Sequence, residues 1–113
     1  MKIATWNINS IKMRINILRD FLANENPDIL LLQELKCESD KFPFEELSDL
    51  PYNFYVHGQK SYNGVAILSK FPADEIVKDF PNNHCSDQAR FIEARISLPI
   101  GFCNIISLYA PNG

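Results

Sequence analysis

Apolar residues recur along this chain with two different periods. "KIATWNI", residues 2 to 8, reads as a strand. Ile11, Ile15, Leu18 and Leu22 then fall on one helical stripe, with Phe21 beside it. Asn9 or Ser10 can cap the start of that helix, and Pro27 turns the chain out of it. "DILLLQELK" follows, where four apolar residues from Ile29 to Leu32 run directly into Gln33 and Glu34. An unbroken apolar run of this length predicts a strand covered on both faces. Strand, helix and doubly covered strand together predict a βαβ unit with parallel pairing.

The later part of the chain alternates. A short acidic helix is predicted over residues 43 to 49, with Pro43 near its first turn. "YNFYVHG" and "GVAILSK" read as strands joined by the turn-like "QKSYN", and "PADEIVKDF" as a weaker strand. In "ARFIEARISL", Ile92, Ala94, Ile96 and Leu98 share one face, with Glu93, Arg95 and Ser97 on the other. "GFCNIISLYA" forms the last strand, after a turn near Pro99 and Gly101. Six or seven strands are thus served by one long helix and one short one. One helix cannot cover both faces of such a sheet, and the pattern supplies no further layer. The chain ends at "YAPNG", directly after a strand and a turn. The expectation is an incomplete α/β domain with an uncovered apolar sheet face.

Composition adds bounds. The 113 residues, 46% hydrophobic, fit one globular unit. No apolar run approaches membrane-spanning length, and "MKIATWNINS" lacks the continuous apolar core of a secretory signal. Cys37, Cys85 and Cys103 are an odd, scattered set without CxxC spacing, which predicts free thiols in a reducing, cytoplasmic setting. Net charge is −3, which argues against nonspecific polyanion binding. Five acids (Glu38, Asp40, Glu45, Glu46, Asp49) sit with Lys41 between residues 37 and 50. Outside that solvated face the charge is close to +1, so local Lys and Arg residues can still meet a phosphate backbone.

The chemistry of interest lies at strand ends. In a sheet with parallel pairing, ligands gather at the carboxyl ends of the strands. Asn7 and Glu34 end two strands expected to be neighbours. A carboxylate and an amide oxygen are hard donors that suit Mg²⁺ or Mn²⁺. The simpler alternative is that Glu34 is a surfacing charge or pairs with a nearby Lys, and spacing alone favours it. Tyr109 ends the last strand similarly. Its phenol could donate to a phosphate oxygen, or help activate water if its pKa were lowered; an amphipathic tyrosine at a sheet edge is the commoner case. Asn112 lies in a Pro-Asn-Gly turn, where turn chemistry alone accounts for it. Lys12, Lys60 and Arg90 stand near strand–loop junctions and could contact phosphates, although exposed Lys and Arg usually do nothing specific. His57 and His84 have no matched Asp or Ser spacing, and no P-loop, GxGxxG or HExxH occurs.

Five blocks in order, "TWNINSIK", "PDILLLQELK", "YNGVAILSK", "QARFIEARI" and "SLYAPNG", resemble the exodeoxyribonuclease III and apurinic/apyrimidinic (AP) endonuclease family, within the endonuclease/exonuclease/phosphatase superfamily. The resemblance covers essentially all 113 residues. It implies one half of a four-layer α/β/β/α sandwich, with mixed sheet and one long helix. Residues 1–113 would be the N-terminal part of a single domain. It also implies a Mg²⁺-dependent DNA-repair phosphodiesterase (Mn²⁺ as substitute) that acts on double-stranded DNA at abasic sites and at 3′ ends. Glu34 matches the family's metal-binding glutamate, and Asn7 the asparagine that orients the metal and phosphate. Tyr109 matches the tyrosine near the scissile phosphate. Lys12, Tyr62, Arg90 and Asn112 match DNA-backbone contacts, Arg being commoner than Lys at position 12.

The departures are specific. The family's Asp-x-Asn motif, which carries the water-activating aspartate, is absent, and so is its late Ser-Asp-His motif; "HCSDQ" at residues 84 to 88 does not match it. The expectation is therefore that this chain is inactive alone. An alternative is a non-catalytic truncated or split half that needs a complementary C-terminal half or self-association through the open sheet face. A third reading keeps the superfamily and changes the substrate to an inositol phosphate or lipid phosphodiester.

Overall fold

The computed structural model describes residues 1–78 and 88–110. Its seven described strands form two sheets. The first has the order β1 (Ile3–Asn7), β2 (Ile29–Gln33), β4 (Val65–Ser69), β3 (Asn53–His57). The second has the order β5 (Ala73–Val77), β6 (Phe91–Leu98), β7 (Gly101–Leu108). β1 and β2 are parallel, with Asn7 opposite Gln33, and the remaining pairs are antiparallel. The first sheet is thus mixed and the second wholly antiparallel.

The βαβ unit forms because each face of β2 has its own partner. Leu30 and Leu32 join Leu18 and Leu22 of helix α1 (Ile15–Glu25) in one core cluster. Ile29 faces the other way and joins Val65, Ile67, Ile92, Ala94 and Ile96 in a second cluster, with Leu31 packed against it. The unbroken apolar run is therefore explained residue by residue. It also corrects one expectation: the first sheet does receive a second layer, from β5–β6–β7 of the same chain. The strands divide into two stacked sheets, and the inward row of β6 closes the face that α1 cannot reach. The uncovered face is the outer one of the second sheet, where Val77, Phe102, Ile106 and Leu108 are exposed.

Helix α1 begins later than its apolar stripe. Ser10 and Ile11 donate their backbone N–H groups to the carbonyls of Glu34 and Leu35 at 2.9 and 3.1 Å. The backbone there extends the β1–β2 pairing, with Asn9 and Ser10 at φ 48° and 83°. Residues committed to that pairing cannot enter a helix, so neither Asn9 nor Ser10 is its cap. Ser10 Oγ instead accepts a hydrogen bond from the N–H of Met13 at 3.4 Å, and Arg14 occupies the cap position. Ile11 is nevertheless fully buried, as the stripe required. At the other end Asn26 takes the left-handed conformation and returns its N–H to the carbonyl of Leu22.

The acidic helix α2 is shorter than expected, spanning Phe44–Leu47 with only Leu47 buried. A 3₁₀ turn at Ser39–Lys41 precedes it. Phe42, Phe44 and Phe54 form an aromatic group with centroid separations of 4.8 to 6.1 Å. Cys37 and Cys103 are free thiols, and Cys85 lies outside the described residues, as does His84. Among the described residues no helix is long and apolar enough to cross a membrane.

Candidate functional site

Six of the seven non-glycine residues with positive φ among the described residues gather along one rim: Asn9, Ser10, Glu34, Lys36, Ser61 and Asn63. Backbone conformations of this kind cost free energy and persist where surrounding structure holds them. Here hydrogen bonds continue past the strand ends. Leu35 and Lys36 donate to the carbonyls of Gly64 and Asn63 at 3.1 and 2.9 Å. Gly64 donates to Ala89 O at 2.8 Å, and Tyr109 to Arg90 O at 2.9 Å. A continuous ladder thus runs from the exit of β2, through residues 63–64 and 89–90, to the exit of β7. It ties the first sheet to the second.

Two candidate residues meet on this rim. Tyr109 Oη donates a hydrogen bond to Glu34 Oε1 at 3.2 Å, across 75 positions of sequence. Glu34 follows β2 directly, is half-buried, and has φ 55°. The Tyr109 phenol is pushed up from its usual value of 10.0, first by desolvation, then by the negative charge of Glu34 and by the hydrogen bond to it. Arg90 opposes this shift, which places its positive charge within electrostatic reach. A raised pKa keeps Tyr109 a neutral phenol at ordinary pH. In this arrangement it donates a hydrogen bond, and the direction of the shift is opposite to the lowered pKa that a water-activating phenolate would need.

The other candidates are less tightly gathered. Asn7 ends β1, exposed, beside Gln33 in the parallel register. Arg90 is half-buried, and its Nε donates to Asn63 Oδ1 at 3.4 Å. Asn63 Nδ2 in turn donates to Gln59 Oε1, which also accepts the N–H of Ala89 at 2.9 Å. Tyr62 stands 70% exposed on the loop between β3 and β4. Lys12 lies in the turn before α1 and lines a cleft of about 700 Å³ with Lys41, Phe42, Phe44, Asp40, Glu45 and Glu46. Neither Glu34 nor Tyr109 lines that cleft, so it is not where the acid and phenol converge. Asn112 lies outside the described residues.

The donor set suits a hard divalent cation that keeps much of its water shell. Such an ion needs one or two carboxylates and takes its remaining ligands from water and phosphate. Glu34 and Asn7, at the ends of adjacent strands, carry an anionic and a neutral oxygen of this type. No group of three or more His, Cys, Asp or Glu gathers among the described residues. That excludes a soft, all-protein cage of the structural zinc type there. The Cys37 thiol is held above its usual value, chiefly by burial.

Sequence reasoning missed the layer beneath the site. Gln33 and Ser107 are both buried. Gln33 Nε2 donates to Thr5 Oγ1 at 3.0 Å and to Ser107 Oγ at 3.1 Å, and Ser107 Oγ donates to Leu32 O at 2.9 Å. Lys36 Nζ donates to Asn9 Oδ1 at 2.6 Å, pinning the loops after β1 and β2 together. The signal for Ser107 was parity. Cys103, Ile105, Ser107 and Tyr109 share the inward face of β7, so a polar residue two positions before Tyr109 lies beneath it.

Residues 4–102 match the sequence profile of the endonuclease/exonuclease/phosphatase family. Exodeoxyribonuclease III of Haemophilus influenzae is 34% identical over all 113 residues, which cover 42% of that protein. A 3′ phosphatase from Neisseria, solved with a product DNA hairpin, superposes with a TM-score of 0.88 at 39% identity, over 96% of this chain and 41% of that one. An AP endonuclease from Archaeoglobus fulgidus gives a TM-score of 0.79 at 38% identity, over 85% of this chain and 37% of that one. The chain thus spans less than half the length of each of these relatives.

Proposed function

Because the chain belongs to the endonuclease/exonuclease/phosphatase family, we propose that it carries the N-terminal part of an exodeoxyribonuclease III-like site that hydrolyses DNA phosphodiesters at abasic sites and 3′ ends. The observation that carries this reading is the hydrogen bond from Tyr109 to Glu34. It joins an acid and a phenol from two sheets at one rim. The likeness to exodeoxyribonuclease III and to a phosphatase solved with DNA supports nucleic acid as the substrate.

In this proposal Glu34 and Asn7 hold Mg²⁺, or Mn²⁺ in its place. The ion supplies charge neutralisation at a phosphate oxygen when bound. Tyr109, kept protonated, donates its O–H to the phosphate. Arg90, Lys12, Tyr62 and Asn112 contact the flanking backbone, where each cation adds sequence-independent affinity. Free thiols at Cys37 and Cys103 support a reducing, cytoplasmic setting. Residues 1–113 form part of one domain in this reading, and the family's water-activating aspartate is not among them.

The test is nicking of an abasic-site duplex in Mg²⁺ by the 113-residue chain and by a version extended to the length of its relatives. The extended form is expected to nick, and Glu34→Gln in it to lower the rate by about 100-fold, the scale of losing a preorganised charge at the reacting phosphate. The 113-residue form is expected to show no nicking. An extended form that spares abasic DNA yet hydrolyses inositol or lipid phosphoesters would move the assignment to that substrate class.

A further inference from the structure

We propose that Gln33 and Ser107 are positioning residues, which hold Glu34 and Tyr109 against each other across the interface of the two sheets. The inference rests on the reading of Glu34 as a metal-holding carboxylate given above and extends it one layer inward.

The hydrogen-bond polarity makes the arrangement determinate. The Ser107 hydroxyl has one proton, and its bond to Leu32 O, at 2.9 Å, uses it. Ser107 Oγ must then accept from Gln33, so the amide nitrogen, not its oxygen, faces Ser107. The second amide proton goes to Thr5 Oγ1 at 3.0 Å. One side chain on β2 is thereby joined to β1 and to β7, the two strands whose ends carry Asn7 and Tyr109. Gln33 immediately precedes Glu34. Ser107 lies two positions before Tyr109 on the same face of β7.

An apolar interface would not provide this. Around the pair the interior on this side of the first sheet is formed mainly by Ile29, Val65, Ile67, Ile92, Ala94 and Ile96. Among the described residues the other buried polar side chain on this face, Ser69, bonds only to the backbone of Phe71. Apolar contacts hold two sheets together but tolerate sliding, because they have no direction. A buried amide–hydroxyl pair tolerates little, since a displaced partner leaves a polar group without its bond. The pair therefore fixes the relative height of two strands from different sheets at the level of the site. Groups that orient a metal-holding side chain commonly alter metal affinity 10- to 100-fold when removed.

The experiment uses the 113-residue chain and four variants, Gln33→Leu, Ser107→Ala, Ser107→Thr and Glu34→Gln. Mn²⁺ affinity is read by paramagnetic line broadening. The Glu34–Tyr109 contact is read by nuclear Overhauser effects between the Tyr109 ring and the Glu34 methylenes. Gln33→Leu and Ser107→Ala are expected to lose that contact and to weaken Mn²⁺ about 10-fold or more. Methyl signals of Leu18 and Leu22, in the other core cluster, should stay in place. Ser107→Thr keeps the hydroxyl and should retain most of the affinity, so a Gln33→Leu chain that fails to fold still leaves the Ser107 pair to decide. Variants that unfold more easily yet keep both contact and affinity would overturn the proposal and leave the pair a structural role. If the unsubstituted chain and Glu34→Gln both ignore Mn²⁺, the titration is made on the form extended to the length of its relatives, and no uptake there ends the metal reading. The contact signal then decides the positioning claim by itself.

Discussion

Glu34 occupies a backbone conformation, φ 55°, that side chains other than Gly and Asn rarely adopt, at a cost of about 1–3 kcal/mol. The rim ladder imposes it, and the result aims a carboxylate at Tyr109. Two substitutions of opposite sign test this. Glu34→Gly relieves the strain and should leave the urea midpoint no lower while eliminating Mn²⁺ binding. Gly64, at φ 94° beside the same ladder, is the converse. A Cβ there would lie 2.9 Å from the Leu35 Cβ, so Gly64→Ala should lower the unfolding free energy by about 1–3 kcal/mol. Equal losses from both substitutions would show that the rim stores no strain. At this scale the sequence already marked the carboxylate, the amide and the phenol by their places at strand ends. It did not mark Gln33 or Ser107, because an amide and a small hydroxyl become informative only once their buried partners are known.

At the scale of elements, α1 was legible from its stripe, since burial of Leu18 and Leu22 depends only on helical period. Its start was not, because the preceding backbone is captured by pairing with residues 34 and 35. The helix is further tied to the segment after α2. Arg19 donates through Nη1 and Nη2 to the two carboxylate oxygens of Asp49, both at 2.8 Å, and through Nη1 also to the carbonyl of Glu46. The pair is solvent-exposed, so its contribution is small and salt-sensitive. Its sign is nevertheless fixed. The hydrogen bond from Arg19 lowers the Asp49 pKa from 3.8 to about 2. A depressed folded-state pKa gives stability that is fully present above about pH 4 and is lost as pH falls through about 2. Arg19→Met should therefore reduce the acid dependence of stability between pH 4 and 2, measured by thermal unfolding in low salt. An unchanged acid limb would remove the pair from the account.

For the whole molecule, the decisive event is the division of seven described strands into two stacked sheets. That stacking buries Ile67 and Ile92 in one cluster and brings Tyr109 to Glu34. It leaves Phe102, Ile106 and Leu108 exposed on the outer face of β7, with Arg95 lying 3.8 Å over the Phe102 ring. Exposed apolar side chains gathered on one sheet face favour association. Ile106→Lys should lower the weight-average mass seen by light scattering at high protein concentration without shifting the unfolding midpoint. An identical mass for both forms would show that the face is adequately screened by Arg95 and its polar neighbours.

What the chain's order of residues determined by itself was local and periodic: the parity of each strand, the apolar stripe of α1, the doubly covered run at Ile29–Leu32, and the acid, amide and phenol at strand ends. Each follows from the two- or 3.6-residue repeat of a single segment, which needs no knowledge of its neighbours. Only the tertiary structure decided which strands share a sheet, where α1 begins, that Tyr109 meets Glu34, and that Gln33 and Ser107 join the sheets. Those outcomes depend on contacts between residues as many as 75 positions apart. Burial and hydrogen-bond partners set them, and neither exists until the two sheets have packed.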